Sequence, residues 1–143
     1  MTPRPPGAVR GAGVLVAAQG LAALVVAAVL VLRALGGADQ HLVNGYGTAI
    51  WFGLIGGSVA AAGWALLAGR RWGRGVAVFT QLLLLPVAWY LAVGSHWPAF
   101  GIPVAVLALA ALALLFSPAA LGWAARDVQR GQASSANSGP DTR

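Results

Sequence analysis

Four long apolar runs constrain this chain more than any other feature of its sequence. They cover residues 13–32, 49–68, 76–94 and 102–123, and none contains Asp, Glu, Lys or Arg. A helix needs about 20 such residues to cross roughly 30 Å of hydrocarbon. The sequence therefore predicts an all-α membrane protein, in which four antiparallel transmembrane helices form an up-down bundle.

The runs divide the chain into one membrane domain and two tails. Residues 1–11 are predicted to form a basic N-terminal tail and residues 12–123 the four-helix transmembrane domain. A short basic extension over 124–130 is expected to prolong the fourth helix. The remainder of the tail at 124–143 is small and polar, and it is predicted to be largely disordered.

Arginine lies almost entirely on one side of the four runs. Of the nine basic residues, eight lie in the two tails and in the connection between the second and third runs: Arg4, Arg10, Arg70, Arg71, Arg74, Arg126, Arg130 and Arg143. Only Arg33 lies on the other side. Short basic segments resist translocation, so the sequence predicts a multi-pass protein of the cell membrane with both termini in the cytoplasm. The net charge of +6 then indicates attraction to anionic lipid headgroups, not to nucleic acid.

Small residues recur at every fourth position of the second run. The stripe comprises Ala49, Gly53, Gly57, Ala61 and Ala65, with Gly56, Ala60 and Gly63 beside it. Small residues let two helix backbones approach closely, and such packing drives helix association in lipid. The stripe is predicted to pack inside the bundle, and the alternative is the face of a homodimer.

Polar side chains at membrane depth are few. Four of them lie at comparable depths, with Trp64 near the same level: Gln19, Thr80, Gln81 and Ser117. A buried amide needs hydrogen-bond partners, so Gln19 and Gln81 are expected to bond to each other or to Trp64. The layer is interpreted as a set of hydrogen bonds that fixes the register of the helices relative to one another. The alternative is a niche for a substrate or cofactor.

The composition excludes most catalytic chemistry. The chain has no Cys, and its only acidic residues are Asp39, Asp127 and Asp141, all outside the runs. Ion-coupled transport by small four-helix proteins, such as the small multidrug resistance exporters, requires a carboxylate within the membrane. Asp39, His41 and His96 on the outer side do not match a known metal-ligand spacing. The sequence predicts no enzyme activity, no cofactor and no metal site.

Three segments resemble a class of small integral membrane proteins of actinobacteria. They read GYGTAIWFGLIGG at 45–57, GRRWGRGVAVFTQLLLLPVAWYL at 69–91 and LLFSPAALGWA at 114–124. The resemblance covers most of the chain outside its tails. It implies a four-helix membrane protein without an established activity, so it supplies no site residues.

The features of the sequence serve membrane insertion and helix packing, and none serves bond-making. The predicted function is therefore that of a non-enzymatic structural or accessory subunit of a larger membrane assembly. Its expected partners are the bilayer and either another membrane protein or a second copy of the chain. The alternative is a small-solute or lipid-handling transporter or channel that uses the polar layer. A continuous pocket reaching that layer would favour this alternative.

Overall fold

The computed structural model describes residues 4–36 and 42–136, and all regular structure in them is helical. The elements in chain order are α1 (Gly7–Leu35), α2 (Leu42–Leu67), α3 (Trp72–Trp89), a π-helical turn (Tyr90–Gly94), α4 (Pro98–Leu115) and α5 (Pro118–Ala136). Four segments are long and apolar enough to cross a membrane: Gly7–Leu35, Tyr46–Leu67, Trp72–Gly94 and Pro98–Leu115. The prediction of a helical protein with four such segments is confirmed.

The helices pack as a ring of four. α1 packs against α2 and α4, and α3 packs against the same two helices. The contact between α1 and α2 is the most extensive of these. The core is built largely from alanine and valine, with Leu66 and Leu115 as its largest fully buried aliphatic side chains. Leucine and aromatic side chains cover much of the outside, as expected where lipid is the solvent.

Glycine brings the backbones of α1 and α2 into direct contact. A Cβ atom added at Gly20 would lie 2.3 Å from the backbone N of Ala60, and one added at Gly63 would lie 2.4 Å from that of Ala17. No side chain fits at these two positions without movement of a backbone. Close approach over small residues is how helices gain packing energy when lipid offers no hydrophobic drive.

Two helices begin earlier than the sequence predicted. α1 begins at Gly7, directly after two prolines, and the carbonyl of Pro6 accepts a hydrogen bond from the N–H of Arg10 at 3.1 Å. Proline suits this place because the first helical N–H groups have no partner within a helix. α2 begins at Leu42, before the apolar run at 49–68 that predicted it.

The fourth run is two helices, which corrects the prediction of a single span over 102–123. α4 ends at Leu115 and α5 begins at Pro118. Ser117 caps α5, since its Oγ accepts the N–H of Ala120 at 3.3 Å. The hydroxyl of Ser117 also donates to the Leu114 carbonyl at 2.8 Å, the group that Pro118 leaves without a helical partner.

α5 also extends further than the composition indicated. It continues to Ala136, so residues 131–136 are helical although they were predicted to be disordered. Small residues such as Ala and Ser are compatible with a helix once a capped helix has started upstream, because propagation is easier than nucleation. Residues 137–143 of the predicted disordered tail lie outside the described residues.

Candidate functional site

Gln19 of α1 and Gln81 of α3 form a reciprocal amide pair. Gln81 Nε2 donates to Gln19 Oε1 at 2.7 Å, and Gln19 Nε2 donates to Gln81 Oε1 at 3.3 Å. Gln81 has no exposed surface. Each amide thus supplies the donor and the acceptor that the other requires, and the predicted pairing is confirmed. The pair joins α1 to α3, which are not neighbours in the ring of helices.

Thr80 and Ser117 do not join this pair. The hydroxyl of Thr80 donates to the Val76 carbonyl at 2.8 Å within its own helix, and Ser117 is engaged at the start of α5. Ser58 likewise donates to the carbonyl of Leu54 at 2.8 Å. Polar residues that were predicted to lie at similar depths in the membrane are therefore not all in contact with one another. The expected layer of four polar residues reduces to one amide pair and separate hydroxyls that are satisfied locally.

Trp64 faces outward and is not a partner of the amides. It is 58% exposed, and the guanidinium of Arg70 lies 5.5 Å from its ring centroid. Contact between an arginine and the face of an indole ring is a favourable cation–π arrangement. Trp64 therefore lies on the outer surface near the end of α2.

The predicted small-residue stripe does not form the main packing face. A Cβ atom added at Gly53 or Gly57 would have nothing within 4 Å, and Ala61 is exposed. Ala49 and Ala65 are buried, and Ala65 lies against Gly73 of α3. The expectation that Gly53 and Gly57 pack inside the bundle is wrong. The homodimer alternative stays a prediction.

The close-packing face lies beside that stripe, and its α2 residues were noted in the sequence but not predicted to be the packing face. On α2 it consists of Gly56, Ala60 and Gly63, and on α1 of Gly13, Ala17 and Gly20. The signal that could have found it is the matching spacing of these small residues, at i, i+4 and i+7, in the first two runs. Residues so spaced share one helix face.

The outer-side polar residues are only partly described. Asp39 and His41 lie outside the described residues, so the prediction that they form no metal site with His96 stays a prediction. His96 lies in the turn before α4, with a φ of 54°. Within residues 4–36 and 42–136 there is no group of three His, Cys, Asp or Glu side chains that could hold a metal ion.

Basic residues collect at one end of the bundle, here called the arginine end. The described members are Arg4, Arg10, Arg70, Arg71, Arg74 and Arg126. Contacts tie the ends of several helices together there: a Cβ at Gly69 would lie 3.6 Å from Pro5, and Arg74 Nη2 donates to the Leu115 carbonyl at 3.1 Å. Positive charge is thus concentrated where α1, α3 and α5 begin and α2 and α4 end.

An open groove of about 590 Å³ lies at the arginine end. α3 forms one side of it, and Phe116 and α5 contribute to the rest. None of the four residues of the predicted polar layer lines it. This groove therefore does not provide the path to the amide pair that a transporter would require.

Trp123 is the largest side chain of the core cluster at this end. It is 5% exposed, and its indole N–H has no hydrogen-bond partner among the described residues. The ring packs in a cluster that includes Val9, Leu66 and Leu115. Trp123 is therefore part of the core.

Comparison with protein families, curated proteins and solved structures returns no match to this chain. The resemblance to small actinobacterial membrane proteins therefore stays a prediction, and no residue roles come from relatives. Any functional conclusion rests on the geometry described above.

Proposed function

We propose that this chain is a non-enzymatic subunit of the cell membrane, with a structural or accessory role in a larger membrane assembly. The observation that carries the proposal is the closed amide pair of Gln19 and Gln81. The most buried polar side chain of the described bundle is committed to another side chain of the same chain.

The remaining hydroxyls at membrane depth support the same proposal. Ser58, Thr80 and Ser117 each donate to a backbone carbonyl three or four residues earlier. Such bonds satisfy the hydroxyl donor locally. A transport path needs polar groups that can exchange partners with a passing solute, and the described hydrogen bonds do not supply a connected row of them.

We further propose that the helices alternate in direction and that the arginine end faces the cytoplasm. The order of contacts supports the antiparallel arrangement of α1 and α2, since Gly13 meets Leu67 whereas Gly20 meets Ala60. The concentration of arginine supports the orientation, because short basic segments are retained on the cytoplasmic side. Both termini are then cytoplasmic.

Paired replacement of the two amides tests the proposal. Gln19→Leu with Gln81→Leu removes both groups of a satisfied pair, which is close to neutral for folding. The accessory role predicts that the double variant folds, retains its membrane partner and supports the cellular phenotype of the wild-type gene. Tagged protein is extracted in mild detergent, and the helicity of the variant and the stoichiometry of its partner are compared with wild type.

One outcome of the paired replacement would contradict the accessory role. A double variant that folds and keeps its partner, yet abolishes the phenotype, would show that the amides act in more than packing. That outcome would contradict the accessory role and favour passage of a solute or lipid through the bundle. Gln81→Asn keeps an amide but shortens the side chain. It therefore distinguishes the need for a polar group at this position from the need for the Gln19–Gln81 hydrogen bonds.

A further inference from the structure

The groove at the arginine end combines two cations with apolar walls. Arg71 and Arg74 contribute at the start of α3, and Val78, Phe79 and Leu82 continue the same face of the helix. Arg71, Arg74, Val78 and Leu82 are three or four positions apart and form one stripe, with Phe79 beside it. From residue 71 to residue 82 the helix rises by about 16 Å, roughly half the thickness of the hydrocarbon core.

Arg74 is held in place beside the groove. Its Nη2 donates to the Leu115 carbonyl at 3.1 Å, and its guanidinium carbon lies 5.8 Å from the ring centroid of Phe116. Leu115 ends α4, so its carbonyl is one of the groups that a helix leaves unsatisfied. The bond uses one of the five N–H donors of the arginine. A guanidinium fixed in this way loses less conformational freedom when an anion binds.

None of the described residues that line the groove is acidic, so the described lining supplies no counter-charge to Arg71 or Arg74. The first turn of α3 adds the positive end of the helix dipole at the same place. Arginine forms paired hydrogen bonds to phosphate oxygens with matching planar geometry. A phosphate group therefore suits the chemistry of these two arginines.

The apolar part of the groove determines what carries that phosphate. Phe79 and Leu82 are exposed on the α3 side, and Phe116 is exposed opposite them. A free phosphate ion would make no use of these walls, whereas an acyl chain would cover them. We infer that the groove binds one anionic phospholipid, with its phosphate between Arg71 and Arg74 and an acyl chain along Val78, Phe79 and Leu82.

This inference goes beyond the proposed accessory role and does not depend on a protein partner. The test uses the full-length chain, stripped of lipid in mild detergent and analysed by native mass spectrometry. It is titrated with phosphatidylglycerol, with phosphatidylcholine of the same acyl chains, and with glycerol 1-phosphate. One phosphatidylglycerol per chain is expected, with weaker binding of phosphatidylcholine and none of glycerol 1-phosphate at the same concentration.

Two kinds of variant probe the groove independently. Arg71→Gln and Arg74→Gln are each expected to weaken phosphatidylglycerol binding by about fivefold. Arg70→Gln is the matched control, because Arg70 is an exposed arginine at the same end that stacks on Trp64 and does not line the groove. It should change binding by less than either groove arginine does.

Gly75→Leu fills the groove without disturbing the fold. Gly75 lines the groove, and a Cβ atom added there would have nothing within 4 Å. The leucine should therefore occupy the space of the acyl chain and abolish retention of the lipid. Gly53→Leu is its control, since a Cβ at Gly53 is equally free and lies on α2, away from the groove.

Several outcomes would overturn the inference. Equal affinity for phosphatidylglycerol and phosphatidylcholine would show that the lipid's net charge does not contribute to binding. Glycerol 1-phosphate that binds as well as phosphatidylglycerol would indicate a site for a free anion. Wild-type affinity in folded Gly75→Leu or in the folded arginine variants would place the lipid elsewhere. A lipid-free wild-type dimer that Gly75→Leu converts to a monomer would show that a second copy of the chain occupies the groove.

Discussion

The contact between α1 and α2 makes a sharp prediction about two glycines of the same helix. Gly63 and Gly57 are both in α2, and replacing either by alanine adds one methyl group. The methyl at position 63 would lie 2.4 Å from the backbone N of Ala17, whereas at position 57 nothing lies within 4 Å. Only Gly63→Ala should therefore destabilise the bundle.

The expected loss of stability follows from the distance between the added methyl group and the backbone of α1. Ordinary contact between such atoms requires about 3.5 Å, so the two backbones must separate locally by about 1 Å. A gap of that size forfeits roughly a quarter to a half of the dispersion energy of each affected contact. Overpacking of this kind typically costs about 1–3 kcal/mol. The gain in helix propensity from Gly to Ala is similar at the two positions, so it cancels when they are compared.

The free energy of unfolding is measured in mixed micelles by titrating a denaturing detergent and following helicity. The free energy of unfolding of Gly63→Ala should be about 2 kcal/mol lower than that of Gly57→Ala, because of the cost of overpacking. Gly20→Ala, whose methyl would lie 2.3 Å from the Ala60 N, should behave like Gly63→Ala. Equal stability of Gly63→Ala and Gly57→Ala would refute the described interface. A larger loss for Gly57→Ala would show that the stripe containing Gly53 and Gly57 makes the principal contact.

Three further predictions concern the amide pair, the α5 cap and the topology. Gln19→Leu alone should cost about 1 kcal/mol of unfolding free energy because it strands the amide of Gln81, and the double leucine variant should recover most of this loss in the same titration. Ser117→Ala should lower stability by about 1 kcal/mol and reduce the helicity of α5, measured by circular dichroism, whereas Ser117→Asp should preserve the cap. Reporter fusions after Arg143 and within the connection at Gln40 should give opposite compartment signals, and identical signals would contradict the four-span topology.

Hydropathy alone was enough to predict the four membrane-length helices, because the cost of burying charge in lipid leaves little choice of sequence. The amide pair was predictable for a related reason. Gln19 and Gln81 are the only amides within the apolar runs, and a buried amide without a partner is costly. Because only two amides occur in these runs, few pairings could satisfy them.

The face of α2 that packs on α1 could not be chosen from the sequence of α2 alone. Gly53 and Gly57 lie on one face of α2 and Gly56 and Gly63 on another, and the surface of this helix is apolar on all sides. In lipid there is no polar face to orient such a helix, and small residues on two faces compete. The selection is made by the complementary small residues of α1, which only a comparison of both helices reveals.

The break between α4 and α5 has a signal in the sequence, although a single span over 102–123 was predicted. Ser117 followed by Pro118 has the composition of a helix start, with a hydroxyl at the cap and proline at the first position. Continuous hydropathy across the site favoured a single span. The structure shows that local capping chemistry prevails here over the length of the apolar run.

The most direct test of the accessory role is the composition of the complex in native membranes. The tagged full-length chain is expressed at its natural level, extracted in membrane discs without detergent and weighed by native mass spectrometry. The account predicts a defined complex in which this chain and a different membrane protein occur in a fixed ratio that survives the paired replacement of Gln19 and Gln81. A chain that is recovered alone, or only with copies of itself, would contradict the account.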